Sequence, residues 1–265
     1  QIIVSLENAS SGAQVSQGRA SVQSAEAQLQ QYQAALDQQK AKLDELKSGT
    51  RTETINIDNT KITNAENTLM DAETNLLNVE SQAEINLQNL YAEIPDILQS
   101  AYLNAENALN SQTSAMTKDE ESQYPQLTFA VTDYQIELDA GAKRKSAGEA
   151  LGKLKNELNS LSTDTQLNSA IEELNIIRTF LSRLQDALGV ANLDAATLAT
   201  YQANVKTAWT NINSAIASIN SQKQKIATQL VTNKSNIATA QSKINEANNS
   251  LDNAKAQLLL DQAGP

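Results

Sequence analysis

Cysteine and histidine are absent from the 265 residues, and there are only eight glycines and three prolines. With neither thiol nor imidazole, a structural zinc site, a Cys–His or Ser–His nucleophile and a disulfide framework are excluded. So few turn-forming residues leave few places for the chain to reverse, which predicts a small number of very long elements. Aromatics are equally scarce: six Tyr, two Phe and one Trp. No stretch approaches the ~18 apolar residues of a membrane span, and runs such as Leu258-Leu259-Leu260 stop after three. Basic charge is short too. With 31 acids against 20 bases the net charge is −11, whereas nucleic acid requires a basic face. Any catalysis would rest on carboxylates, Lys, Tyr or Ser alone, so a non-enzymatic role without cofactor or metal is expected.

What the sequence does contain is heptad periodicity. Between Ala195 and Leu260, Leu198, Val205, Ile212, Ile219, Ile226, Asn233, Ala240, Ala247 and Ala254 fall seven apart. A second series, Trp209, Ile216, Lys223, Leu230, Ile237, Ile244, Leu251 and Leu258, lies four residues after the first. Alternating steps of four and three form the seam of a coiled coil. Asp194 is the expected N-cap, and Gly264 the expected end. At 1.5 Å per residue this helix reaches roughly 100 Å.

Two other segments share the period. Val15, Val22, Leu29, Leu36 and Leu43, with Ala25, Tyr32 and Leu46, carry it through 12–47. Ile55, Ile62, Leu69, Leu76, Ala83 and Leu90 carry it again, and Pro95 is expected to kink that helix. Leu167, Leu174, Leu181 and Leu188 mark a shorter helix closed by Gly189, and 134–161 reads as a weaker one. From 117 to 128 the acids, Gln and Pro125 break every pattern, which reads as a loop. Eight of the nine aromatics lie between Tyr91 and Trp209, and large rings fill wide cores. The expected fold class is therefore all-α. A long antiparallel coiled-coil hairpin would comprise proximal helices over 11–90, a distal four-helix bundle over 91–209 and a returning helix over 210–265.

Leu36, Asp37, Lys40, Ala41, Leu43 and Gly49 recur 215 residues later as Leu251, Asp252, Lys255, Ala256, Leu258 and Gly264. After Gly49, Thr50 and Glu53 form a capping box, so Gly49, Thr50, Glu53 and Gly264 are the expected turn or hinge residues, together with Pro95 and Gly189. Gln1 to Asn8 alternates and is rich in β-branched residues, which reads as a strand stub over 1–10 of a truncated β-domain. A chain starting at Gln1 and stopping at Gly264-Pro265 reads as a piece of a longer protein, with any signal or anchor outside it.

These features resemble the hemolysin-D-like membrane fusion proteins, or periplasmic adaptors. Gln1-Ile2-Ile3-Val4-Ser5-Leu6-Glu7-Asn8 followed by Ala20 to Leu29 is similar to the family's junction of a half-lipoyl strand with an A-x-A-x-L helix. Lys47 to Ile55 resembles its G-x-R-x-E-x-I break, and Leu258 to Pro265 a second copy. The resemblance covers roughly 1–80 and 235–265. It implies an extracytoplasmic helical hairpin in the cell envelope, anchored near an inner-membrane transporter and homo-oligomeric at full length; the isolated piece is expected to be monomeric. Two features depart from the pattern. Arg183-Leu184 is followed by Ala187, not the second Leu of the tip motif R-L-x-x-L, and about a hundred residues replace a short tip. Both turn the expected distal partner away from an outer-membrane channel toward another envelope protein.

The remaining charged motifs read mostly as solvated surface. Asp119-Glu120-Glu121 lacks the glycine and alternate-ligand spacing of a calcium loop. Lys143, Arg144 and Lys145 form the one dense basic cluster, a possible partner contact set against a solvated helix face. Lys223 and Asn233 at seam positions are the kind of polar residue that fixes register. Two other classes stay open: a structural coiled-coil scaffold unrelated to transport, and an α-helical pore-forming toxin.

Overall fold

The computed structural model describes residues 2–47, 52–119, 122–158 and 163–263. The protein is all-α apart from one two-stranded sheet. In chain order the helices are α1 (Ile2–Lys47), α2 (Thr52–Ala92), α3 (Ile94–Asn107), α4 (Tyr134–Glu157), α5 (Asp164–Gly189) and α6 (Ala195–Ala263). Gly49, Thr50 and Gly264 lie outside the described residues, as do Gln1, Glu120, Glu121 and Leu161.

The strand expected over 1–10 is not there: from Ile2 onward this segment is the first part of α1. β-Branched alternation favours a strand only when a neighbouring strand takes up the backbone N–H and C=O groups. Here the backbone continues through Gly12 and Gly18, with no proline, into a run rich in Ala, Gln, Leu and Lys, which satisfies those groups within one helix.

The chain divides into two compact units, one of 1–74 with 241–265 and one of 75–240. In the first, the α2 positions Ile55, Ile62, Ala65, Leu69 and Ala72 are half-buried, as are Ile244, Ala254 and Leu258 of α6, while Ala247 and Leu251 are buried. Each set repeats at steps of three and four. Asp58, 1% exposed, sits in the α2 series; Lys61 Nζ lies 2.8 Å from its Oδ1, and the Asp261 carboxyl of α6 lies beside it.

The second unit has a wide core, with Leu98, Leu154, Leu174, Phe180, Leu184 and Ile212 among its fully buried residues. α4 and α5 run antiparallel: Asp139 pairs with Arg183, Lys153 with Glu173, and the Gln166 amide donates to the Glu157 carbonyl. Asp133, Thr163 and Asp194 cap α4, α5 and α6 by accepting backbone N–H groups. The 117–128 segment holds β1 (Thr117–Lys118) and β2 (Gln126–Leu127), paired antiparallel. A Cβ on Gly141 would overlap the Pro125 carbonyl, so glycine lets this segment lie directly on α4. A second tie joins Thr132 N to the Val190 carbonyl at 3.1 Å and Asn192 N to the Ala130 carbonyl at 2.9 Å. α2 and α6 are antiparallel in this unit too. Gln222 Nε2 donates to the Leu90 carbonyl at 2.6 Å, and Asn233 Nδ2 to the Ala83 carbonyl at 2.9 Å.

Candidate functional site

Every described side chain of α1 between 10 and 46 is exposed. The heptad set Val15, Val22, Leu29, Leu36, Leu43 and Leu46 keeps about half of its surface in water, and Tyr32 is 74% exposed. Scattered surface Leu and Val are ordinary, but a contiguous helical stripe of them marks an interaction surface. The helix persists through residues that favour it intrinsically, so its apolar face is presented rather than packed. The proximal coiled coil expected over 11–90 thus has a buried face on α2 and an exposed one on α1.

The other sequence-expected residues are dispersed. Glu53 lies exposed in the first turn of α2. Pro95 is in the first turn of α3, just after the one-residue interruption at Glu93 that separates α2 from α3. Gly189 is the last residue of α5. The basic cluster splits. Lys143 and Lys145 are half-buried, whereas Arg144 is 4% exposed, with Cζ 5.8 Å from the centre of the Phe180 ring. That is a cation–π contact inside the core, so Arg144 is not presented to a partner.

Periodicity missed several interior polar groups. Gln222, not Lys223, is the buried residue on α6, because this part of the helix buries a face three residues wide, as at Val205, Ala208 and Ile212. Glu173 is buried beside Lys153 Nζ at 3.4 Å. Asp58 lies on the α2 seam series, seven residues before Ala65, whereas Gln222 lies off the α6 seam and no sequence signal marked it as interior. Asn233 does hold the seam position expected of it and also accepts from Gln229 Nε2 at 2.8 Å.

The electrostatics are those of anchored, structural groups. The Asp58 carboxyl titrates below its ordinary value, held there first by the Lys61 ammonium and then by Asp261. Asp194 is lowered by the Thr197 hydroxyl and backbone N–H at the start of α6. Burial, with the Asp164 carboxylate nearby, raises Tyr91; the hydrogen bond from its hydroxyl to Glu106 raises Tyr102. Among the described residues no three His, Cys, Asp or Glu group as metal ligands, and no helix is long and apolar enough to cross a membrane. A groove of about 510 Å³ between α5 and α6 is lined by Ser182, Gln185, Asp186, Lys206 and Trp209. Tyr201, which the sequence reading gives to core packing, lies 6.1 Å from the Phe129 ring and donates to the Ala115 carbonyl.

No family model matches the chain. No curated protein matches it either. Among solved structures it has a likeness to the haptoglobin-hemoglobin receptor of Trypanosoma congolense. The two share 13% identity over 75% of this chain and 89% of that one, with a TM-score of 0.21. A score that low supports no shared fold.

Proposed function

We propose that the chain is a non-enzymatic adaptor of the membrane fusion type. In this reading it is a coiled-coil hairpin with a distal four-helix bundle, serving an efflux or secretion transporter of the cell envelope. The observation that carries the reading is the duplicated seam. The 36–49 pattern and its 251–264 copy both end in Gly, and in the α6 copy Leu251 is buried and Leu258 half-buried. A protein whose long helices carry seams in duplicate is suited to act by reach and docking. The adaptor would be homo-oligomeric at full length and held to the membrane by parts outside this sequence.

The test is photo-crosslinking of the full-length protein in its native membranes from positions 143, 145 and 124. Adducts with an inner-membrane transporter or another envelope protein are the expected outcome. Recovery in the cytosolic fraction without such adducts would reject the reading. A coiled-coil scaffold is the second reading, and one observation favours it: residues 2–8 are helical, not the strand that the lipoyl junction requires. A scaffold would form filaments or higher assemblies without any membrane fraction.

A further inference from the structure

We infer that the exposed face of α1 is a docking surface for a single acid-flanked α-helix of heptad period on another polypeptide. The inference stands on a comparison within the chain and does not rest on the transporter reading. Shifted by 215 residues, the α1 seam Val22, Ala25, Leu29, Leu36 and Leu43 becomes Ile237, Ala240, Ile244, Leu251 and Leu258. On α6 that face is buried or half-buried, and α2 is the helix that meets α6 at Asn233–Ala83 in one unit and beside Asp261–Asp58 in the other; on α1 all of it is exposed. Two helices thus carry one design, one of them covered.

The flanks carry the same correspondence. Residues just beside a heptad seam choose its partner by charge. Lys234 and Lys255 hold that position on α6, and the same shift places Arg19 and Lys40 there on α1. Lys47 continues that flank and Lys42 stands on the opposite one, against two acids, Glu26 and Glu7, while Asp37 and Asp44 fall away from the seam. The helix that meets the α6 face has the more acidic flanks: Glu66 and Glu73 flank the α2 seam in the first unit and Glu80 in the second, against one cation, Lys61, which is paired with Asp58. Charge complementarity therefore asks the same of the occupant of α1. A second copy of α1 would bring basic flank against basic flank, and the α2 face of any copy already lies against its own α6.

The experiment titrates the full chain with a labelled synthetic peptide of residues 52–92, the probe for an acid-flanked helix. A companion peptide carries Glu66→Lys, Glu73→Lys and Glu80→Lys. The acidic peptide should bind one per chain, and Leu29→Asp with Leu36→Asp should weaken it more than about tenfold by removing apolar contact. Arg19→Glu with Lys40→Glu should weaken the acidic peptide about fivefold at low salt and tighten the basic one. Helicity of each variant by circular dichroism separates lost docking from lost folding. Absence of binding, equal binding of both peptides, or binding indifferent to the seam substitutions would overturn the inference. So would sedimentation showing a dimer of the chain alone that Leu29→Asp with Leu36→Asp dissolves.

Discussion

Asn233 and Ala83, 150 residues apart in sequence, are joined by a 2.9 Å hydrogen bond from the Asn233 side-chain amide to the Ala83 carbonyl. The bond fixes the register of α6 on α2 within the second unit, and Gln229 completes it by donating to the Asn233 Oδ1. Asn233→Ala removes both interactions from a buried position. Urea unfolding followed by circular dichroism should show a loss of about 1–2 kcal/mol. Asn233→Leu should raise the midpoint while weakening the specification of register, visible as broader NMR lines. An unchanged midpoint in both variants would remove Asn233 as a register device.

Gly141 and Gly152 both lie in α4 but should respond oppositely to alanine. At Gly141 the new methyl meets the Pro125 carbonyl, a backbone atom that cannot step aside, and the cost should be about 1–3 kcal/mol. At Gly152 nothing lies within 4 Å, and the gain in helix propensity should add up to about 1 kcal/mol. Thermal melts of the two variants decide the matter, and a stable Gly141→Ala would mean that the 117–128 segment does not rest on α4.

Arg144→Ala should cost about 2–4 kcal/mol, because it empties a buried position over Phe180. Lys143→Ala and Lys145→Ala should each change stability by less than about 1 kcal/mol. Equal effects from all three would restore the basic cluster as a surface patch. Arg144 also shows why sequence reading stalled here: three cations in a row look solvated, and only the tertiary partner, Phe180, turns the middle one inward.

Acid should loosen the first unit. The Asp58 carboxyl gives up its proton more readily in the folded chain than in the unfolded one. Its contribution is therefore complete above the ordinary carboxyl range near pH 4 and is lost as pH falls below it. Melting temperatures at pH 7 and pH 3 should converge in Asp58→Asn relative to the parent. Asp194 acts with the same sign at the start of α6, and Asp194→Asn should flatten the acid limb further. A parent whose melting temperature does not fall in acid would refute both assignments.

An absorbance titration at alkaline pH should find Tyr91 and Tyr102 ionising above the ordinary phenol range. Tyr91→Phe and Tyr102→Phe should each delete one late step. A titration with no step above that range would contradict the packing of Tyr91 near Asp164.

Most of the helical framework was legible because heptad spacing is local. Ile212, Ile219, Ile226, Ala240 and Ala247 are buried where the period places them, and Asp194 is the cap it was expected to be. The period identifies an apolar face but not whether anything covers it: Leu36 and Leu251 have the same pattern, yet one is exposed and the other buried. Burial depends on contacts distant in sequence, which a local period does not encode. The misread strand has the same root. Ile2 to Leu6 alternates like a strand, but without a partner strand the backbone groups are satisfied only by continuing the helix.

The paired hydrogen bonds between 130–132 and 190–192 fasten the two ends of the α4–α5 excursion side by side. The polypeptide leaves and rejoins its path at one doorstep, so those two helices form a cassette. Another helical pair of matching width could be grafted between Thr132 and Val190 without re-routing α3 or α6. The surface chemistry of that pair can diversify there while the seams stay fixed.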